Sequence, residues 1–295
     1  MNLSKEIHKE LIILGLKDKD DINIEEICNK DGIYLYRIKY NNNFFILKYF
    51  LNDEYKREIK NYELLKKLGV ATIKVFGNTN KSILLEDLDR SINYRLGKIS
   101  DLSDIKVIKG LAKWYVKLHS EGSKYVSEER PEFYKETDYI TMDNIELIKN
   151  KSNTRDNKVW KLITDNWSSF LEKISGLEET ITYNDFYFTN LAVSKDKKES
   201  IMFDYNLLGV GFRYNDIRNV CSSLPEKLQK VFMDEYGEFD EREKIVDQGI
   251  SNLITLISAY KKPSFPKWAE GALETIYSGK LEQYIIKILE LPSIN

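Results

Sequence analysis

The stretch TITYNDFYFTNLAVSKDKKESIMFDYNLLGVG, residues 180–211, decides how the chain is read. Its two halves, TITYNDFYFTNLAVS and SIMFDYNLLGVG, are rich in β-branched and aromatic residues, the composition of short strands. The polar KDKKE between them reads as a hairpin turn. Polar side chains nevertheless interrupt this apolar sequence, and a buried polar group without a partner is costly, so Asp185, Asn190 and Asp204 need a reason. Asp185 and Asn190 stand five positions apart, and Asp204 follows fourteen residues after Asn190, directly behind the apolar run Ile201-Met202-Phe203. One loop and one strand end thus aim three oxygen-bearing side chains at a common point. Oxygen donors of this kind suit a hard cation such as Mg²⁺.

Upstream, IYLYRIKY (33–40) and FFILKYF (44–50) form a β-hairpin whose turn is Asn41-Asn42-Asn43, because asparagine tolerates left-handed backbone. A helix follows over DEYKREIKNYELLKKLG, with Tyr62, Leu65 and Gly69 on one line and Gly69 as its stop. Two more β-rich runs, IKVFG (73–77) and SILLEDL (82–88), complete a small sheet. After Leu88 the pattern changes to long amphipathic segments: about 101–121, ending at Gly122, then 136–150, then 155–175, ending at Gly176. Helical patterning resumes after residue 211 and runs to the C-terminus. The pause at 88–100 marks a boundary between an N-terminal lobe, residues 1–88, and a C-terminal lobe, residues 89–295. The expected class is α+β: a small antiparallel sheet lobe with one helix, and a larger, mostly helical lobe.

The composition agrees with two lobes and removes several chemistries. At 295 residues the chain exceeds the usual single-core size. Its 45 Lys and Arg against 47 Asp and Glu leave a net charge of −2, so the basic excess of a nucleic-acid surface is missing. Cys28 and Cys221 are too far apart for a C-x-x-C site and read as small core residues, which suits a reducing cytoplasm. With only His8 and His119, no multi-histidine metal site can form and triad chemistry is hard to assemble. The N-terminal MNLSKEIHKELIIL lacks signal-peptide order, and no apolar run nears the roughly 18 residues of a membrane span. A cytoplasmic protein with neither nucleic-acid nor membrane partners is expected.

The separation of Asp185 and Asn190 equals that of Asp and Asn in the kinase catalytic loop H-R-D-x-x-x-x-N. In phosphoryl transfer an Asn carbonyl and an Asp carboxylate hold the metal ion on the nucleotide phosphates, while another carboxylate takes the acceptor's proton. Asn190 and Asp204 suit the first role and Asp185 the second. On these residues the chain resembles the aminoglycoside phosphotransferase-like kinases, which include choline, homoserine and fructosamine kinases, over nearly its whole length. The matching order is Lys48 in a strand, Glu58 in the next helix, LLEDL (84–88), LAKWYVKLHS (111–120) resembling the family's LAxLH, then Asp185, Asn190 and Asp204. Gly209 and Asp216 in LLGVGFRYNDIRNV resemble the family's G-D-x-x-x-D stretch.

The resemblance implies a bilobal protein-kinase-like fold and a small-molecule kinase using Mg²⁺ with ATP or GTP as phosphoryl donor. Under it, Lys48 meets the α- and β-phosphates, and Glu58 steadies Lys48. Glu63 is the other candidate partner, but it lies on a different helix face from the line 58, 62, 65, 69. Backbone groups of Glu86, Asp87 and Leu88 form the hinge that reads the base. Asn190 and Asp204 hold the metal, Asp185 is the catalytic base, and Asp216 fastens the catalytic loop. The acceptor is a small hydroxyl-bearing molecule, expected to be cationic. The acidic MDEYGEFDEREK (233–244) falls in the lobe that carries the family's acceptor site, although charge runs are by default solvated.

Two departures stand out. The family's His-Gly before the catalytic aspartate is replaced by Tyr183-Asn184, so the Tyr183 hydroxyl is expected to brace the loop. The phosphate-covering segment Asn29-Lys30-Asp31-Gly32 holds a single glycine. These motivate the alternative of a non-catalytic pseudokinase that binds nucleotide or a protein partner. Plainer readings also exist for single residues: Lys48 as a gatekeeper on an edge strand, and His119 as a charge that finishes a helix, with no chemical role.

Overall fold

The computed structural model describes residues 3–16, 22–129 and 133–292. In chain order the first elements are α1 (Leu3–Ile13), β1 (Ile22–Lys30), β2 (Ile33–Tyr40), β3 (Asn43–Phe50), α2 (Arg57–Lys67), β4 (Val75–Asn78) and β5 (Ser82–Glu86). Next come β6 (Tyr94–Leu96), α3 (Ile105–Glu129), α4 (Met142–Lys151), α5 (Lys158–Asp165), α6 (Trp167–Ser175) and β7 (Thr180–Thr182). After them lie β8 (Leu191–Ser194), β9 (Ser200–Met202), β10 (Gly209–Gly211), α7 (Arg213–Ser223), α8 (Glu226–Tyr236), α9 (Glu241–Tyr260), α10 (Glu270–Tyr277) and α11 (Lys280–Leu289). The class is mixed α and β, with an antiparallel sheet at the N-terminus and a mostly helical remainder. Among the described residues no helix is long and apolar enough to cross a membrane.

The chain folds into two compact units. The first comprises Met1–Leu118, Asp185–Leu208 and Val220–Tyr236; the second comprises His119–Asn184, Gly209–Asn219 and Gly237–Asn295. Both are assembled from interleaved segments of the chain.

In the first unit five strands form an antiparallel sheet in the order β1-β2-β3-β5-β4. Lys48 therefore sits on the central strand, which overturns its reading as an edge gatekeeper. Asn41 and Asn42 take φ of +47° and +61°, the left-handed pair required by a two-residue hairpin turn, while Asn43 already pairs with Tyr40 as strand. One face of the sheet is sealed by α1, where Ile7 and Leu11 pack with Leu16, Tyr36, Ile38, Leu47, Tyr49 and Leu84. This part of the chain thus carries two helices, α1 and α2, where the sequence reading expected one. A three-stranded sheet in the order β6-β8-β9 completes the β-structure of the unit, and the expected turn over KDKKE joins β8 to β9.

The second unit is built on a helical core in which Trp160, Phe170, Leu253, Leu256, Ile285 and Ile288 are buried together. Its strands β7 and β10 pair antiparallel, Thr182 opposite Gly209. Helix α3 does not stop at Gly122 but continues to Glu129. A Cβ at position 122 would lie 2.6 Å from Thr180 Oγ1 and 2.7 Å from the Ile181 amide nitrogen. Gly122 thus makes room for β7 instead of ending the helix. The segment read as one helix over 155–175 is two, α5 and α6, broken at Asn166.

Candidate active site

Lys48 is almost fully buried, and its ammonium lies 2.6 Å from Glu58 Oε2 and 2.8 Å from Asp204 Oδ1. Burial alone would lower its pKa, but the two carboxylates outweigh it and hold the lysine charged. Glu58 has no exposed surface, and burial pushes its carboxyl upward against the pull of Lys48. The other candidate, Glu63, instead accepts from Asn78 Nδ2 at 3.1 Å on the surface. Successive residues of α2 grip the segment after Asp204. Arg57 Nε donates to the Asn206 carbonyl at 2.6 Å, Asn61 Nδ2 donates to the Tyr205 carbonyl at 2.7 Å, and the Tyr205 N–H reaches Glu58 Oε1 at 3.4 Å. Asp204 takes φ of +63°, a left-handed conformation that aspartate tolerates better than most residues.

The loop carrying Asp185 closes on itself through Asn190. Asn190 Nδ2 donates to Asp185 Oδ2 at 3.1 Å and to the Asp185 carbonyl at 3.3 Å. The Phe203 N–H donates to the Asn190 carbonyl at 2.9 Å, which ties the loop to the strand end before Asp204. Burial and the nearby Asp204 raise the pKa of Asp185, while Asn190, Lys48 and Lys30 draw it back. These bonds leave oxygen donors over for a hard cation. Asn190 commits its amide nitrogen and keeps its side-chain carbonyl, while Asp204 commits Oδ1 to Lys48 and Asn206 and keeps Oδ2. Among the described residues no group of three or more His, Cys, Asp or Glu could hold a metal. The donor set therefore fits Mg²⁺ only as a two-residue site whose shell phosphates and water complete.

A cavity of about 210 Å³ opens beside Lys48, and its lining includes Leu35, Glu58, Glu86, Asp87, Leu88 and Asp204. The Glu86 N–H donates to the Lys74 carbonyl at 2.9 Å, and the Asp87 carbonyl accepts from the Arg90 N–H at 3.0 Å. Asp87 itself is buried against Arg37, whose Nε lies 2.7 Å from Asp87 Oδ2. Nothing local in the sequence singles out Arg37, which stands fifty positions from Asp87. The sequence-selected residues Lys48, Glu58, Glu86, Asp87, Leu88, Asp185, Asn190 and Asp204 all belong to the first unit.

In the second unit Asp216, wholly buried, collects three donors or partners. The Tyr183 N–H reaches its Oδ2 at 2.7 Å, the Asn184 N–H reaches its Oδ1 at 2.8 Å, and His119 Nε2 shares a hydrogen bond with Oδ2 at 3.0 Å. Tyr183 and Asn184 immediately precede Asp185 in the chain, so the brace runs through the Tyr183 backbone and Asp216. His119 is buried within α3, contrary to the reading that gave it only a helix end. Asn184 takes φ of +66°, the conformation a glycine would otherwise supply, and asparagine is among the residues best able to replace it.

Within the acidic stretch 233–244 only Asp234, Gly237, Glu238 and Glu241 are exposed, and Glu243 is fully buried. Its Oε2 accepts from the Tyr214 N–H at 3.0 Å, its Oε1 lies 3.5 Å from Arg213 Nε, and burial pushes its carboxyl up to about 7. The ordinary value is 4.5, so the unfolded chain gives up this proton first. The stability held by the protonated form is complete below about pH 4.5 and is lost as pH rises through about 7. Thermal unfolding followed across that window should show the midpoint falling with pH, and Glu243→Gln should flatten the fall. An unchanged slope in the variant would remove Glu243 as its source.

No family model matches the chain. Among curated proteins it is similar to the Protein LicA homolog of Mycoplasma capricolum, with 23% identity over 231 residues that cover 77% of this chain and 85% of that protein. Among solved structures, choline kinase LicA from Streptococcus pneumoniae is similar with a TM-score of 0.57 and 16% identity, covering 99% of this chain and 100% of that one. Spectinomycin phosphotransferase APH(9)-Ia, in complex with ADP and spectinomycin, is similar with a TM-score of 0.53 and 11% identity over 97% of each chain. At these identities the likeness establishes the fold, which is protein-kinase-like, as the resemblance implied.

Proposed function

We propose that this chain is a small-molecule kinase that transfers the γ-phosphoryl group of ATP to a hydroxyl of a small cationic acceptor. In this reading residues 1–88 bind nucleotide, and residues 89–295 carry catalysis and the acceptor. The observation that carries it is the convergence in one unit of Lys48 with Glu58 and Asp204, and of Asp185 with Asn190. The choline and spectinomycin named for the two similar solved enzymes support a cationic, hydroxyl-bearing acceptor. Cytoplasmic location is part of the same reading.

Lys48, kept charged by its two carboxylates, neutralises the α- and β-phosphates. Asn190 and Asp204 would hold Mg²⁺, which when bound offsets charge on the phosphates. Asp185 orients the acceptor hydroxyl. As the acceptor oxygen bonds to the γ-phosphorus, the bond from that phosphorus to the β–γ bridging oxygen breaks, and ADP leaves with the electron pair. The hydroxyl proton passes to Asp185 Oδ1, because Oδ2 is engaged by Asn190. At the hinge, the Glu86 N–H and the Asp87 carbonyl are already spent, which leaves the Leu88 N–H as donor to the base and the Glu86 carbonyl as acceptor. That order matches the ring nitrogen and amino group of adenine and opposes guanine, so ATP is preferred to GTP.

The departure at Tyr183-Asn184 that motivated a non-catalytic alternative loses its force, since Asn184 has the left-handed backbone and Asp216 with His119 offers the brace. A thermal-shift titration with Mg-ATP and Mg-GTP, followed by ATP consumption over amino alcohols, aminoglycosides and sugars, tests the reading. Stabilisation by ATP above GTP and consumption with a cationic acceptor are expected. Binding without consumption across the panel would favour the pseudokinase, and no shift with Mg-ATP would end both.

A further inference from the structure

The segment that covers the phosphates in this fold is here a two-residue hairpin tip. Asp31 and Gly32 take φ of +54° and +83° between β1 and β2, and Lys30 closes the strand opposite Ile33. The tip is clipped in place. Asn52 Nδ2 donates to the Asp31 carbonyl at 3.1 Å, the Leu51 N–H donates to the Gly32 carbonyl at 2.9 Å, and Asn52 Nδ2 occupies the space a Cβ at position 32 would need, 2.7 Å away. Both bonds engage carbonyl oxygens and fix the path of the tip, and with only Asp31 and Gly32 between the paired strands it offers fewer backbone N–H groups to phosphate oxygens than a glycine-rich loop does.

The register shows what stands in its place. Cys28 pairs with Leu35 and Leu35 with Lys48; Lys30 pairs with Ile33 and Ile33 with Phe50. Directly paired residues project from the same sheet face, as do alternate residues along one strand. Lys30 therefore shares the face of Leu35 and Lys48, both of which line the cavity, and lies one step nearer the tip. It is exposed and makes no hydrogen bond or ion pair with another described residue. Its charge is felt at Asp185. We propose that Lys30 is a nucleotide-binding residue whose ammonium meets the terminal phosphates of the donor, doing with a side chain what backbone amides do in a glycine-rich loop. This rests on the kinase reading and adds a second cation to Lys48.

Calorimetric titration of the full chain with ATP and with adenosine, in Lys30→Met, Lys30→Arg and the parent, tests it. Lys30→Met should weaken ATP binding by about tenfold or more, the loss of one charge-assisted contact, while Lys30→Arg retains most of it. Adenosine should bind all three alike. ATP binding unchanged in Lys30→Met would overturn the proposal and mark a solubilising surface lysine, and an equal loss of adenosine would overturn it as a fold defect. A parent chain that binds neither ligand would instead bring down the kinase reading, and this inference with it.

Discussion

Asp185→Asn should lower the turnover of ATP-dependent transfer by about a hundredfold to ten-thousandfold, the usual contribution of a positioned base, while ATP affinity stays within a few-fold. The amide can turn its oxygen toward Asn190 Nδ2 and keep the bond that closes the loop at 3.1 Å. Only the capacity to accept a proton is removed. Because Asp185 is not bonded to Lys48 or Glu58, the buried ion pair is left intact. Steady-state kinetics with the best acceptor from the panel, paired with ATP titration, read the two quantities separately. Turnover close to the parent would show that Asp185 is not the base.

Asp204→Ala should fail in the opposite way, losing the magnesium-dependent part of ATP binding. Asp204 Oδ1 is occupied by Lys48 at 2.8 Å and by Asn206 at 2.8 Å, and Oδ2 is the donor it can offer a metal. Alanine withdraws both the metal ligand and one of the two carboxylates that hold Lys48 charged. The expected result is an ATP affinity that no longer rises when Mg²⁺ is added, against a rise of about tenfold or more in the parent, with residual metal-free binding carried by Lys48 and the hinge. Matching defects in Asp185→Asn and Asp204→Ala would refute the division of roles between base and metal ligand.

Which parts of this arrangement could be read from residues alone depends on the range of the interaction. The β2–β3 hairpin is legible because runs rich in β-branched and aromatic residues flank asparagines that accept left-handed backbone, and the trio Asp185, Asn190, Asp204 because polar residues interrupt apolar strands. Strand β1 was not legible: it is an edge strand, INIEEICNK, whose side chains after Ile24 are all exposed, so it carries little hydrophobic alternation. Helix α1 left a fainter trace in the four-residue spacing of Leu3, Ile7 and Leu11. Gly122 misled because a glycine that ends a helix and one that admits a neighbouring strand are the same letter, and the deciding contact with Thr180 lies fifty-eight positions away. His119 and Asp216 are ninety-seven positions apart, and nothing local announces their bond.

The clipped tip at Asp31 and Gly32 bears on how fast nucleotide arrives. A loop that must fold down over its ligand spends ordering entropy at each encounter and slows association, whereas a tip already held by Asn52 leaves little to organise. Capture of ATP by this chain should therefore run as a single concentration-dependent phase in stopped flow. Loosening the clip with Asn52→Ala should bring in a second, saturating phase.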